Sequence, residues 1–306
     1  MRRPSFRAFR RVPAGALLAV LALAVLAPAP AEAQEVELRW KFNSGDEFVY
    51  EMVQESAFSA PGQGEMQQTQ TMIYRQTVTD VDADGVATID FVYERIMLDA
   101  DAPDGTMSYD SDSEEPPADP SMAAMGSLVG QTFQLRVAPD GTVLSVTGAE
   151  GYLEEMTADL PPEVAQMMGD TFGEDALVDM MQQAFQAFPD ESLSEGSTWD
   201  NETSVSLPFG TIASTYNYTL EALSYERGRE VARISVDGRS GELQMDPDDP
   251  MAGVIQSTGG PISGMMVFDL ELGQVLEAEV ESAVNLSAMG QQITTTSIMR
   301  LRLMDH

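Results

Sequence analysis

Cysteine is absent from this 306-residue chain and histidine occurs once, at His306. Without thiols there are no disulfides, no thiolate metal site and no cysteine nucleophile. The one imidazole sits at the last position, where chains fray, so Ser-His-Asp triads, His-ligated metals and histidine general bases are not expected. Lysine is almost missing too: Lys41 is the only one, and Lys and Arg together number 16 against 50 Asp and Glu, a net charge of −34. Affinity for polyanions is built from Lys and Arg that neutralise phosphates, so nucleic acid and anionic membrane surfaces are not expected as partners. Diffuse cation affinity and the solvation habit of proteins from salty surroundings fit the same excess. No Gly-rich phosphate loop follows a strand, no G-x-S-x-G elbow occurs and no zincin motif exists, and no cofactor is expected.

Long hydrophobic runs are scarce as well. The one present, Ala14 to Ala27, follows Arg2, Arg3, Arg7, Arg10 and Arg11 and precedes Ala31-Glu32-Ala33. That order is the n-region, h-region and cleavage box of an export signal. The run is shorter than the roughly 20 residues of a membrane-spanning helix and closes on Pro28 and Pro30, so cleavage before Gln34 is expected. Val12-Pro13 fits the twin-arginine route poorly, which leaves the general secretory route and a periplasmic or secreted location. Removing residues 1–33 takes five of the 16 basic and one of the 50 acidic residues, leaving 11 against 49 and a net charge of −38.

What remains is written mostly in period two. Val36, Leu38, Trp40 and Phe42 alternate with Glu37, Arg39 and Lys41, predicting a strand. Further strands are expected over 48–59, 66–81, 86–98, 130–137 and 143–146, with turns at Asn43-Ser44-Gly45-Asp46, Asp82-Ala83-Asp84-Gly85 and Pro139-Asp140-Gly141-Thr142. Residues 99–121, rich in Asp, Glu and Pro, read as a solvated insertion. From Tyr152 to Phe188 the apolar spacing turns helical, with Pro161-Pro162 and Gly173 dividing two or three short helices. Strands resume over 198–207, 211–225, 230–236, 264–272, 274–286 and 291–304.

The expected fold is therefore mainly β (α+β): long curved antiparallel sheets with a short helical segment between two β-halves. The organisation reads as a signal peptide at 1–33, an N-terminal sheet unit at 34–148, helices at 149–190 and a C-terminal sheet unit at 191–306. Gly45-Asp46-Glu47-Phe48 resembles Gly196-Ser197-Thr198-Trp199, and Gly130 through Val143 resembles Gly264 through Val275. A duplicated half-barrel unit is one reading; chance likeness between meandering sheets is the other.

Two residue classes invite site hypotheses. Asp80, Asp82 and Asp84 match the first half of a calcium loop, but the twelfth position is Phe91 where a bidentate Glu is needed, and the flanks are strand-like. A hairpin turn explains them better, and no metal site is assigned. Asp246, Asp248 and Asp249 between Pro247 and Pro250 read as a solvated loop. The 20 methionines could suggest copper(I), yet they fall on apolar faces without His or Cys. Soft Met-rich faces also adapt to varied apolar partners, although core filling is their commoner use. On that basis Met167, Met168, Met180, Met181, Phe185 and Phe188 are the candidate lining of an apolar ligand site.

The stretch Leu38-Arg39-Trp40-Lys41-Phe42-Asn43-Ser44-Gly45-Asp46-Glu47-Phe48-Val49-Tyr50-Glu51-Met52 resembles the opening of a family of exported bacterial proteins, the 6263 family of uncharacterised domains. Thr77-Val78-Thr79-Asp80-Val81, the turn at Asp84-Gly85, the return strand Val86-Ala87-Thr88-Ile89 and Gly196-Ser197-Thr198-Trp199 are similar to its pattern. The resemblance implies export and a β-rich fold and carries over no catalytic residues. At the level of fold the chain also resembles the curved half-barrels of periplasmic lipoprotein carriers, which hold acyl chains against a concave sheet. The leading expectation is a non-catalytic protein binding an apolar ligand or partner segment. An envelope structural or interaction protein and a carboxylate-based hydrolase are the alternatives.

Overall fold

The structure is a computed structural model, and it describes residues 34–60, 64–103, 105–113, 125–149, 151, 178, 181–182, 184–207, 210–245, 255–288 and 291–304. The export segment, most of the expected helices and the cluster at Asp246, Asp248 and Asp249 lie outside these residues. The described first half consists of β1 (Glu47–Ala60), β2 (Gly64–Val81), β3 (Ala87–Ala102), β4 (Gly105–Asp110), β5 (Thr132–Val137) and β6 (Val143–Thr147). The second half consists of β7 (Thr198–Leu207), β8 (Gly210–Glu226), β9 (Arg229–Gln244), β10 (Ile255–Ser257), β11 (Gly260–Asp269), β12 (Gln274–Ala288) and β13 (Gln291–Leu303).

All these strands join one antiparallel sheet in the order β6-β5-β3-β2-β1-β13-β12-β11-β9-β8-β7, with β4 branching from β3 and β10 from β12. The sheet is open, with β6 and β7 at its ends. In each half the chain steps to a neighbouring strand at almost every turn, the cheapest connection for antiparallel pairing. The glycine turns at Gly141 and Gly273 join β5 to β6 and β11 to β12, but the halves differ: β4 pairs with β3 whereas β10 pairs with β12, and the second half has the additional strand β13. The halves meet along β1 and β13, paired continuously from Tyr50 with Leu303 to Ser59 with Thr294.

Alternation decides which face is buried. In β5, Phe133, Leu135 and Val137 are buried while Thr132, Gln134 and Arg136 face outward. On the opposite face of the central strands, Arg300 reaches Glu55 at 3.0 Å and Glu279 at 2.6 Å, one residue on each flanking strand. Arg302 stands opposite both Glu51 and Glu277. A one-residue slip would put these charges into the core, so they and the apolar face specify the same register. Long strands must also bend. Bulges opposite Ile73 and Tyr74, within β8 near Ala213 and Glu221, and between Val267 and Phe268 supply local twist and curvature.

Three sequence expectations change in the structure. Residues 36–42 are extended but do not form a ladder strand: Val36 pairs with Leu193, Trp40 N donates to Pro139 O and Lys41 N donates to Gly273 O. The segment spans turns from both halves of the sheet instead of joining its edge. Residues 99–102 and 105–110, expected to be solvated loop, complete β3 and form β4, held by ion pairs from Arg95 to Asp110 and Asp112. Strand β9 runs on to Gln244, well past the expected end at Val236.

One end of the concave face is filled by an aromatic plug. Trp40 packs edge-on against Phe185 at 5.2 Å and Phe268 at 5.6 Å, and Phe188 contacts Phe268 at 4.9 Å and Trp199 at 6.4 Å. The Trp40 indole N–H donates to Gln186 O at 2.8 Å. Gln182 fastens the β5–β6 turn, accepting from Val143 N and donating to Gly141 O. Gly141 and Gly273 are required here by both backbone and space: each has positive φ, and a Cβ would strike Gln186 O and the Trp40 indole at the first and Lys41 at the second.

Candidate ligand-binding site

Inward of the plug the described residues leave a space on the concave face. A cavity of about 490 Å³ lies against strands from β3 to β8, so both halves of the chain contribute to it. Its floor follows from the register. Met72, Met52 and Leu301 are successive cross-strand neighbours on β2, β1 and β13 and form one apolar rung. Met299 and Val280, paired on β13 and β12, continue the floor. Tyr74, Phe91 and Tyr93 form one wall and Tyr216 stands on the opposite side, with Met181 and Ala184 over the sheet.

The aromatic wall is the face of a ladder. Tyr50 stacks on Tyr74 at 5.5 Å, Tyr74 on Phe91 at 4.7 Å, and Phe91 meets Tyr93 edge-on at 5.0 Å. Such pairs add to the area they bury and hold the rings as a rigid surface. Burial pushes the Tyr74 hydroxyl well above its ordinary range, with neighbouring Tyr50 and Tyr93 adding to the shift, and burial likewise raises Tyr93. Both are neutral at physiological pH.

Farther along the same strands serines enter the lining beside Ile262 and Val284. Ser297 and Ser282 are cross-strand partners, as are Ser240 and Ser214. Ser297 Oγ accepts from Gln54 Nε2 at 3.3 Å. The Ser240 hydroxyl is buried, only 7% of the residue being exposed, and finds no partner within the protein. Among the described residues lining the cavity there is no Asp, Glu, Lys, Arg or His.

The structure distributes the sequence candidates unevenly. Met181 is buried and lines the cavity. Phe185 and Phe188 are buried beyond it, in the plug around Trp40, and support the site from behind. Met167, Met168 and Met180 lie outside the described residues. Asp82 closes the β2–β3 hairpin: its Oδ1 accepts from Asp84 N and Val86 N at 3.0 Å each, and its Oδ2 accepts from Arg136 at 3.1 Å. Asp80 and Asp84 are exposed at the end of β2 and in the turn. Among the described residues no group of three or more His, Cys, Asp or Glu is placed to hold a metal ion. The lining residues that sequence reasoning missed, Met52, Met72, Met299 and the four serines, lie on strands read only for their existence. Their signal was the alternation Met299-x-Leu301 and Val280-x-Ser282-x-Val284, which places them on one face.

Comparison with solved structures gives faint likenesses. The chain is 11% identical to lipovitellin, from a structure of its lipid–protein interactions, over 87% of this chain and 26% of that one, with a TM-score of 0.47. It thus spans about a quarter of the lipovitellin chain. DynF of the dynemicin biosynthesis pathway of Micromonospora chersina is 9% identical, with 89% and 86% of the two chains covered and a TM-score of 0.22. Salmonella typhi OmpF, in complex with daunomycin, is 8% identical, with 88% and 100% covered and a TM-score of 0.22. No curated protein matches by sequence. A family model does match, over residues 84–275, from the β2–β3 turn to the start of β12. By that match, which takes in more than half of its length, the chain belongs to a family of unknown function, DUF6263.

Proposed function

We propose that the protein is exported and acts as a non-catalytic binding protein that holds an apolar ligand in the concave cavity. The cavity carries this reading: its size is that of small-molecule sites, which run to roughly 300–1,000 Å³, and its rigid lining is mostly Met, Leu, Val and aromatic carbon. Unbranched thioethers adapt to ligand shape, and Met52, Met72, Met181 and Met299 all contribute. The lining among described residues offers no pair of carboxylates, so it does not supply what glycoside hydrolysis needs. The outward face of the central strands is charged at Glu51, Glu55, Glu277, Glu279, Arg300 and Arg302, the reverse of the apolar outer band of a membrane barrel.

Export rests on the order of basic, apolar and small residues through Ala33, and the β-sheet unit begins at Gln34. Native mass spectrometry of protein from its own host, before and after organic extraction, tests both parts. The expected result is a chain beginning at Gln34 carrying an apolar mass that extraction removes. An intact leader would overturn export. A mature chain that carries no such mass and rebinds no apolar ligand would overturn the binding role.

A further inference from the structure

We infer that the ligand is an uncharged amphiphile, a hydrocarbon body carrying a neutral hydrogen-bonding group such as an ester, amide or hydroxyl, with that group seated at Ser240. This deepens the binding role proposed above and rests on it. Two independent observations carry it. The first is charge. The chain holds 66 charged residues, yet the described lining of the cavity contains none, and its buried tyrosines keep their protons. A carboxylate, phosphate or ammonium carried into such a place would lose its water without meeting a counter-charge, and an anion would also face the repulsion of a strongly acidic molecule. A neutral group incurs neither penalty.

The second observation is the serine arrangement. Ser240 is more than nine-tenths buried, lines the cavity and has no partner for its hydroxyl within the protein, and its cross-strand neighbour Ser214 is 9% exposed and lines the same space. Buried hydroxyls are normally paired, and an unpaired one on a residue that lines a cavity matches a carbonyl or hydroxyl brought by a ligand. The methionine rung of Met72, Met52 and Leu301 lies toward the plug and the serines lie farther along the strands. The lining therefore passes from a wholly apolar rung to one in which serines stand among Ile262 and Val284, so that hydrogen-bonding groups gather toward one end, as in an amphiphile.

The test compares three probes with the same hydrocarbon tail: monopalmitin, palmitate and the hexadecyltrimethylammonium cation. Each is titrated into extracted mature protein by calorimetry at low salt and at about 1 M salt, where surface fields are screened within about 3 Å. Monopalmitin is expected to bind at least about tenfold tighter than either ion, with the gap persisting at high salt. In Ser240→Ala, with folding checked by circular dichroism, the preference is expected to narrow about tenfold while binding of the ions is unchanged. Ser214→Ala gives a second reading at the neighbouring hydroxyl. Equal binding of palmitate and monopalmitin, or an unaltered preference in both variants, would overturn the inference and leave apolar binding standing. Failure of all three probes to bind would overturn the binding role itself.

Discussion

Tyr50 shows how single side chains hold the sheet to its plug. Its hydroxyl donates to Gln274 Oε1 at 3.2 Å, and Gln274 Nε2 donates to Lys41 O at 3.1 Å, so β1, β12 and the crossing segment are joined through one buried amide. Gln274 is fully buried. A phenolate could not donate to it, and burial raises Tyr50, Tyr74 and Tyr218 far above the ordinary 10.0 and raises Tyr93 as well. The consequence for stability has a definite sign. Below pH 10 the folded and unfolded chains both keep these protons and nothing changes. Above it the unfolded chain releases them first, so stability falls as pH rises toward the folded-state values. Absorbance titration of phenolate should show these four tyrosines ionising only as the protein unfolds, with the denaturation midpoint dropping over the same range. Ordinary titration of all of them in folded protein would contradict their burial.

At the scale of elements the critical piece is the crossing segment, which touches the β5–β6 turn and the β11–β12 turn at consecutive residues. Trp40 is its anchor. Trp40→Ala removes the ring shared by Phe185, Phe188 and Phe268 and should destabilise by about 3–5 kcal/mol, read as a lowered midpoint in denaturant melts. Alternation announced an apolar face at Leu38, Trp40 and Phe42, but the sequence could not say that this face docks as a plug. An extended segment that pairs with turns and one that pairs with a strand share the same period. The long strands themselves were legible where period two persists, over 48–59, 66–81 and 86–98 and again over 198–236 and 264–304, whereas the end of β9, β10 and the start of β11 were not. The join between β1 and β13 was not, since no local pattern records which edges meet. The site divides in the same way. Met181 could be picked out from Met content at helical spacing, whereas Met52, Met72, Met299 and the serines depend on curvature and register across many strands.

At the scale of the molecule, electrostatics is governed by a net charge of −34. The ion pairs of Arg75, Arg95, Arg136, Arg233 and Arg300 are local and largely exposed, and so few cations leave most carboxylates repelling one another. Added salt shortens the range of that repulsion. Thermal unfolding at neutral pH should therefore move to higher temperature as sodium chloride is added, and a midpoint independent of salt would show the repulsion to be already balanced. The pairing of β1 with β13 has a further consequence, one of timing. Tyr50 and Leu303 are neighbours in the finished sheet but stand near opposite ends of the described chain. Until β13 arrives, one side of β1 presents an unpaired row of backbone donors and acceptors in the middle of what will be the sheet. The central seam is thus the slowest contact to form by chain entropy and the most exposed to wrong partners while it waits, so the rate of folding should be governed by how long that edge is kept from pairing with another copy.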